Sequence, residues 1–329
     1  MKKFIFRLMK FFLPFIILGC GIIFLEFYIF SRPSMFKLKA NYFKENKGNI
    51  DVLILGSSHN MDAINPEYVT DFNLSNLAVG GSDIIIDSGV FEYAIKQSSK
   101  LKFAVFPLSY HTIENGHNPK NVLHCRYLRH HNLNLFGREE SIIDYSLLLS
   151  NPEIFKMYLS INSEGKKKVS LNKYGYATKI PFYEIDRFKN LNYDENFILN
   201  DTSNIFITRH KYEDIESYYR NTKTMDYMIN TCIQNNIIPI MISTPVYKSY
   251  YESYLPSKEN RRRKYINHFI KKYPSSIFLD YEQDSRFKVT DFKNEDHLNP
   301  KGAEKFSKTL NDTLLAIKSQ MHNRILQNK

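Results

Sequence analysis

The sequence predicts an α/β domain: a parallel sheet of about five strands with helices on both faces, behind an N-terminal transmembrane helix and interrupted by a long insertion after the third strand. Three observations carry this. Residues 11–30 are almost wholly apolar. Short apolar runs ended by glycine or a small polar residue alternate with segments of helical period. The small, hydroxyl-bearing and imidazole side chains gather just after those runs.

Residues 1–10 carry Lys2, Lys3, Arg7 and Lys10, and the apolar run behind them is interrupted by one charge, Glu26. About 20 apolar residues cross a bilayer as a helix, so 1–10 reads as a cytoplasmic tail and 11–30 as a span in the cytoplasmic membrane. No A-x-A-like cleavage site follows. The run Ile17-Leu18-Gly19-Cys20 has the look of a lipoprotein box, but the residues after Cys20 stay apolar. Positive charge lies on both sides of the span, with Arg32, Lys37, Lys39, Lys44 and Lys47 after it. The short basic tail sets the choice of tail inside and main domain extracytoplasmic. Residues 31–49 are polar and basic and read as a stalk.

The domain then occupies residues 50–320. Strands are expected at 51–55 (DVLIL), 73–78, 103–108 (FAVFPL), 237–243 (IIPIMIS) and 277–280, with helices at 82–97, 212–235, 258–273 and 300–319. Pro300 suits a first helical turn. Between them, residues 110–212 lose periodicity and are rich in Asn, Tyr, Lys and His; this is the insertion.

Composition narrows the partners. The 329 residues are 43% hydrophobic and 24% charged, which excludes a disordered chain and a multi-span membrane protein. The formal charge of +11 is spread along the chain, and the one tight basic run, Arg261 to Lys264, reads as a solvated helix face, so no nucleic-acid partner is expected. Cys20, Cys125 and Cys232 have no metal-ligand spacing, and whether Cys125 and Cys232 pair is a question for tertiary structure. His111, His117, His124, His130 and His131 lie in the insertion without a paired ligand pattern, so neither a metal nor a cofactor is expected.

In open α/β sheets, ligands bind outside the carboxyl ends of the strands. Four segments meet there: Gly56-Ser57-Ser58-His59 after strand one, Val79-Gly80-Gly81-Ser82 after strand two, Ser109-Tyr110 after strand three, and Asp296-His297-Leu298-Asn299 after strand five. Bland roles exist for each: Ser58 suits a helix cap, Gly80 and Gly81 a tight turn, and His297 a structural hydrogen bond.

DVLILGSSH at 51–59, NLAVGGS at 76–82 and DHLNPKG at 296–302 together resemble the SGNH (GDSL-like) hydrolase superfamily, over the core strands and helices of the chain. The resemblance implies a flavodoxin-like sheet, Ser58 as nucleophile, His297 as general base, and an oxyanion hole from the N–H groups of Ser58 and Gly81. Two departures stand out. The third block of such proteins ends its strand with Gly-x-Asn-Asp, where this chain has Leu108-Ser109-Tyr110, so Ser109 stands near the missing donor. Their acid sits three residues before the histidine, where this chain has Asn294. Both departures resemble a membrane-anchored branch that modifies envelope polysaccharides, including alginate O-acetylation proteins and the D-alanyl transfer protein of teichoic acid synthesis.

The chemistry asks for the same residue types. A serine hydroxyl needs a neighbouring base, histidine titrates near neutrality, and a third group must orient the ring. Adjacent side chains in an extended loop point apart, so Asn294 is the expected orienter, with Asp291 and Asp296 as substitutes. The leading expectation is therefore an acyl transferase or esterase acting on O-acyl groups of a cell-envelope glycan through Ser58, partnered by the bilayer and a multi-span membrane acyltransferase. The alternatives are an inactive glycan- or partner-binding subunit, favoured by the lost donor and Asn294, and a domain binding a phosphorylated ligand at Gly56-Ser57-Ser58. There is no Walker A run and no G-x-G-x-x-G motif.

Overall fold

A computed structural model describes residues 2–118, 123–163 and 169–327. Helices α1 (Lys2–Ser31) and α2 (Met35–Asn46) precede β1 (Val52–Ile54), α3 (Ser58–Ala63), β2 (Leu74–Asn76), α4 (Ile84–Ile95) and β3 (Phe103–Pro107). The irregular stretch after β3 holds α5 (Leu123–His131), α6 (Ile142–Tyr145), α7 (Leu147–Ser150), α8 (Pro152–Ser163), α9 (Arg187–Asn190), α10 (Glu195–Asn200) and α11 (Ile205–Thr208). Alternation resumes with α12 (Ile215–Gln234), β4 (Ile238–Ser243), α13 (Lys248–Tyr251), α14 (Pro256–Lys272) and β5 (Ile277–Asp280). A small antiparallel hairpin, β6 (Phe292–Asn294) and β7 (His297–Leu298), leads into α15 (Pro300–Gln327).

Strands β1 to β5 form one wholly parallel sheet in the order β2-β1-β3-β4-β5. The chain enters at β1, steps outward to β2, then returns past β1 to β3. The order therefore reverses beside β1, and the carboxyl ends of β1 and β3 flank the crevice where such sheets take ligands.

Side chains alternate across each strand. Val52, Ile54, Phe103, Val105, Ile240 and Ile242 share a core with Ile64 after α3 and with Phe306, Leu310 and Leu314 of α15. Phe106 instead meets Phe91 of α4 edge to face at 5.3 Å. Both sheet faces are thus covered, which is why the strands read as continuous apolar runs rather than alternating ones. Each fully buried Val, Leu, Ile or Phe contributes roughly 1.5–3 kcal/mol.

The chain divides into two compact units: Met1–Lys37 with Lys120–Lys168, and Leu38–Pro119 with Val169–Lys329. The first contains α1, whose apolar side chains are exposed along most of its length and which is long and apolar enough to cross a membrane. Ile29 near its end packs with Leu147 of α7, Cys125 of α5 and Phe155 of α8. The carboxylate of Glu26, the charge inside the apolar run, accepts hydrogen bonds from Ser146 Oγ (2.8 Å) and Leu148 N (2.8 Å). It thereby caps the start of α7.

Three expectations need correction. The stretch 110–212 is not one body: 120–168 groups with the N-terminal helix and 169–212 with the sheet, while residues 119–122 and 164–168 lie outside the described residues. The 31–49 stretch is not a free stalk. Residues 35–46 form α2, in which Ala40 and Phe43 are buried and Lys39 Nζ donates to Ala78 O at 2.8 Å. Burial pushes the Lys39 amine down to about 7. The basic run of α14 is a solvated face only in part: Arg263 and Lys264 are exposed, but Arg261 and Arg262 are drawn inward. Arg262 is fully buried, donating to Glu282, Glu259, Leu108 O and Ser243 Oγ, while Arg261 binds Glu114. Acidic partners, Glu282 from another element and Glu259 one turn earlier on the same helix, make that burial tolerable. All three cysteines are free thiols.

Candidate functional site

The backbone after β1 turns sharply at Gly56, whose φ is +129°. A Cβ there would stand 3.0 Å from Asn60 Nδ2 and 3.1 Å from Pro107 Cγ, so only glycine fits. Ser57 takes the cap position of α3 without using its side chain as a cap; its Oγ instead meets His111 Nε2 at 3.2 Å. Ser58 is the first residue of α3, so its hydroxyl is presented at the crevice. Asn76, at the end of β2, fixes α3 by donating to Asn60 O (3.1 Å) and Ile64 O (2.7 Å).

His297 reaches the same place from the other side of the chain. Its Nε2 lies 2.8 Å from Ser58 Oγ, and its Nδ1 lies 2.7 Å from Asp296 Oδ1. A proton on Nδ1 directed at the carboxylate leaves Nε2 as the acceptor for the serine O–H, the tautomer a general base requires.

The ring is oriented chiefly by Asp296, not by Asn294 as expected. Asn294 Oδ1 is 3.2 Å from Nδ1 and also accepts from the Asp296 N–H at 3.2 Å. The rule that neighbours point apart fails here because residues 295 and 296 form the tight turn between β6 and β7. Asn294 and His297 stand opposite one another across that irregular hairpin, and the turn folds the Asp296 side chain back onto the ring. Asp291, the third candidate, is turned away. Its carboxylate accepts from Lys288 N (3.0 Å) and Lys305 Nζ (2.9 Å).

Asp296 is fully buried, and its second oxygen accepts from Arg209 through Nε (3.1 Å) and Nη2. Burial alone would raise this carboxyl, but His297 and Arg209 hold it well below the usual carboxylate range. Arg209 comes from the end of α11, in the irregular stretch, and so does His210. His210 Nδ1 bonds Tyr250 OH at 2.6 Å and sits 3.7 Å from Asp296 Oδ2. His59 Nε2 lies 3.5 Å from the same oxygen. Burial pushes His59 down to about 4 and His210 to about 3, and it lowers His111 well below the usual imidazole value. These rings are uncharged at neutral pH.

The remaining expected residues flank this line. Gly81 follows β2 with φ +80°, a backbone conformation that suits glycine. Ser109 follows β3; it is buried, and its hydroxyl has no hydrogen-bond partner. Between them is a small cleft lined by Ser57, Ser82, Asp83, Asp87, His111 and Thr112. Asp87 accepts from Ser82 Oγ at 2.6 Å, and burial pushes its carboxyl up to about 7.

Arg209 and His210 escape sequence reasoning because no periodic pattern or motif marks them. His59 is visible beside Ser58 but carries no spacing signal. The one available hint was an adjacent Arg-His pair inside an irregular, aromatic-rich stretch. No protein-family model matches the chain, and no curated protein gives a significant match.

Proposed function

We propose that the protein is a membrane-anchored serine acyl transferase or esterase of the SGNH type, working on O-acyl groups of a cell-envelope polysaccharide. The observation that carries this reading is the continuous line from Ser58 Oγ through His297 Nε2 and Nδ1 to Asp296, with links of 2.8 and 2.7 Å. The parallel strand order β2-β1-β3-β4-β5, which reverses beside β1, supports a flavodoxin-like sheet and with it the same assignment. The apolar helix α1 supports an anchored, single-pass protein; the placement of the main domain outside the cytoplasm rests on the short basic tail before the span. The envelope glycan and a multi-span membrane acyltransferase as partner rest on the motif resemblance.

In this mechanism the Ser58 oxygen attacks the acyl carbonyl as its proton passes to His297 Nε2. Asp296 stabilises the imidazolium without taking its proton. The N–H groups of Ser58 and Gly81 receive the oxyanion. Collapse of the intermediate expels the alcohol, which takes the proton from His297 and leaves the acyl group on Ser58. A second hydroxyl, from a sugar or water, then gives its proton to His297 and removes the acyl group.

A second reading, an inactive binding subunit, is favoured by one observation. No amide side chain stands at the end of β3, only the buried Ser109 hydroxyl. Two measurements on the full-length chain in detergent separate the readings: hydrolysis of an activated acetyl ester, and labelling by a serine-directed fluorophosphonate. The enzyme reading expects slow turnover and labelling at Ser58, both lost in Ser58→Ala. Equal turnover by wild type and Ser58→Ala, with glycan binding retained, replaces it with the binding subunit.

A further inference from the structure

Three imidazoles crowd together beside Ser58 from separate parts of the chain: His59 in the first turn of α3, His111 after β3 and His210 after α11. One ring nitrogen from each lies within 4.8 Å of the other two. The rings of His59 and His111 have centroids 4.3 Å apart, and those of His111 and His210 are 4.5 Å apart.

Their hydrogen bonding is incomplete in a way that burial makes costly. His59 has a side chain 1% exposed, and neither ring nitrogen makes a hydrogen bond; the Asp296 contact at 3.5 Å is too poor to serve as one. His111 Nδ1 is also buried without a partner. An unsatisfied buried polar atom costs roughly 1–3 kcal/mol, so two such rings in contact are unfavourable unless something else satisfies them.

We propose that His59, His111 and His210 bind a divalent transition-metal ion, with zinc(II) the best match to the donor set. Three uncharged nitrogen ligands suit zinc and its neighbours in the first transition row. Calcium and magnesium, which take oxygen, are excluded. The outward nitrogens of His111 and His210 are engaged as in known zinc sites, where a carboxylate or another polar group sits behind the imidazole. His111 Nε2 faces Ser57 Oγ (3.2 Å), and His210 Nδ1 bonds Tyr250 OH (2.6 Å) with Asp296 Oδ2 at 3.7 Å. Asp296 also supplies a negative charge that offsets Arg209. Zinc–nitrogen bonds of about 2.0–2.1 Å bring tetrahedral ligands to roughly 3.4 Å from one another. Closing the site therefore takes a modest inward shift and a rotation of His111 against His210, now stacked with planes 15° apart. A fourth, non-protein position is left for water or an oxygen of a bound molecule. The site does not depend on Ser58 acting as a nucleophile.

The test uses the full-length chain in detergent, purified by a tag without histidine, stripped with a chelator and titrated with zinc chloride by calorimetry. Cobalt(II) chloride is added in parallel to give a visible spectrum. Saturable one-to-one zinc uptake is expected, with the intense bands of tetrahedral cobalt. His111→Gln and His210→Gln should each lower zinc affinity by at least about tenfold, and zinc should raise the melting temperature of wild type but not of the double variant. Ser58→Ala should bind zinc as wild type does, which separates this site from the acyl-transfer chemistry. Absence of saturable zinc binding by the folded wild type overturns the proposal. So does wild-type affinity in a double variant that circular dichroism shows to be folded.

Discussion

Replacing Asp296 by asparagine tests which residue orients His297, the proposed base. The exchange keeps the side-chain shape and removes one negative charge from a fully buried position. Two hydrogen-bonded partners are affected. The 2.7 Å bond to His297 Nδ1 meets either an amide oxygen or an amide N–H, and the latter forces the proton onto Nε2, where it blocks the Ser58 hydroxyl. Arg209 loses the carboxylate it holds from two nitrogens. A wrong tautomer in an otherwise intact serine triad costs about 10⁴ in kcat, or about 5 kcal/mol of barrier. The Arg209 side chain is 31% exposed, so water takes over part of the lost ion pair, and the stability loss should stay near 1–3 kcal/mol. Asn294→Ala removes only a 3.2 Å contact to Nδ1 and a bond to the Asp296 N–H, and should cost no more than about tenfold. The assay is acetyl-ester hydrolysis on the full-length chain in detergent, with melting curves for each variant. Wild-type turnover in Asp296→Asn, or an equal collapse in Asn294→Ala at unchanged melting temperature, would refute the assignment.

Further outcomes follow from the same contacts. The Asp87 carboxyl is raised to about 7 in the folded state, while the unfolded value lies near 3.8. The native state therefore keeps a proton that the unfolded chain loses, and stability falls as pH rises from about 4 to 7. Asp87→Asn should melt with wild type at pH 4 and by about 2–4 kcal/mol more stably at pH 8, read by denaturant titration at both values; no gain at pH 8 refutes it. Gly302→Ala places a Cβ 2.1 Å from the Asp291 carbonyl oxygen, where α15 meets the loop bearing His297. It should destabilise by more than about 3 kcal/mol, seen as a lowered melting temperature. Arg262→Ala leaves Glu282 buried without its guanidinium and should cost about 3–5 kcal/mol; a melting temperature within error of wild type contradicts the ion-pair account. Deleting residues 2–31 should move the chain out of the membrane fraction, and its persistence there after a carbonate wash argues for a second attachment.

What the sequence alone determined was the sheet and its landmarks. The runs at β1, β3 and β4 became central parallel strands because they are buried on both faces, and a run of that kind has few other places to go; β2 and β5 complete the sheet at its edges. The apolar N-terminal helix was legible for the same reason, since its length and composition leave little choice. The approach of Ser58 to His297 was expected from the motif resemblance together with position, both residues following strands whose carboxyl ends share one edge. Tertiary structure decided the rest. Which acid faces Nδ1 depended on a tight turn at residues 295 and 296 that local alternation does not describe. Whether Arg262 was solvated depended on Glu282, which another element brings beside it. Arg209, His210 and His59 meet at Asp296 only because an aperiodic stretch folds back over the crevice. Burial patterns repeat along the chain and can be read from it. Pairings between distant polar groups have no period and exist only once the chain has closed on itself.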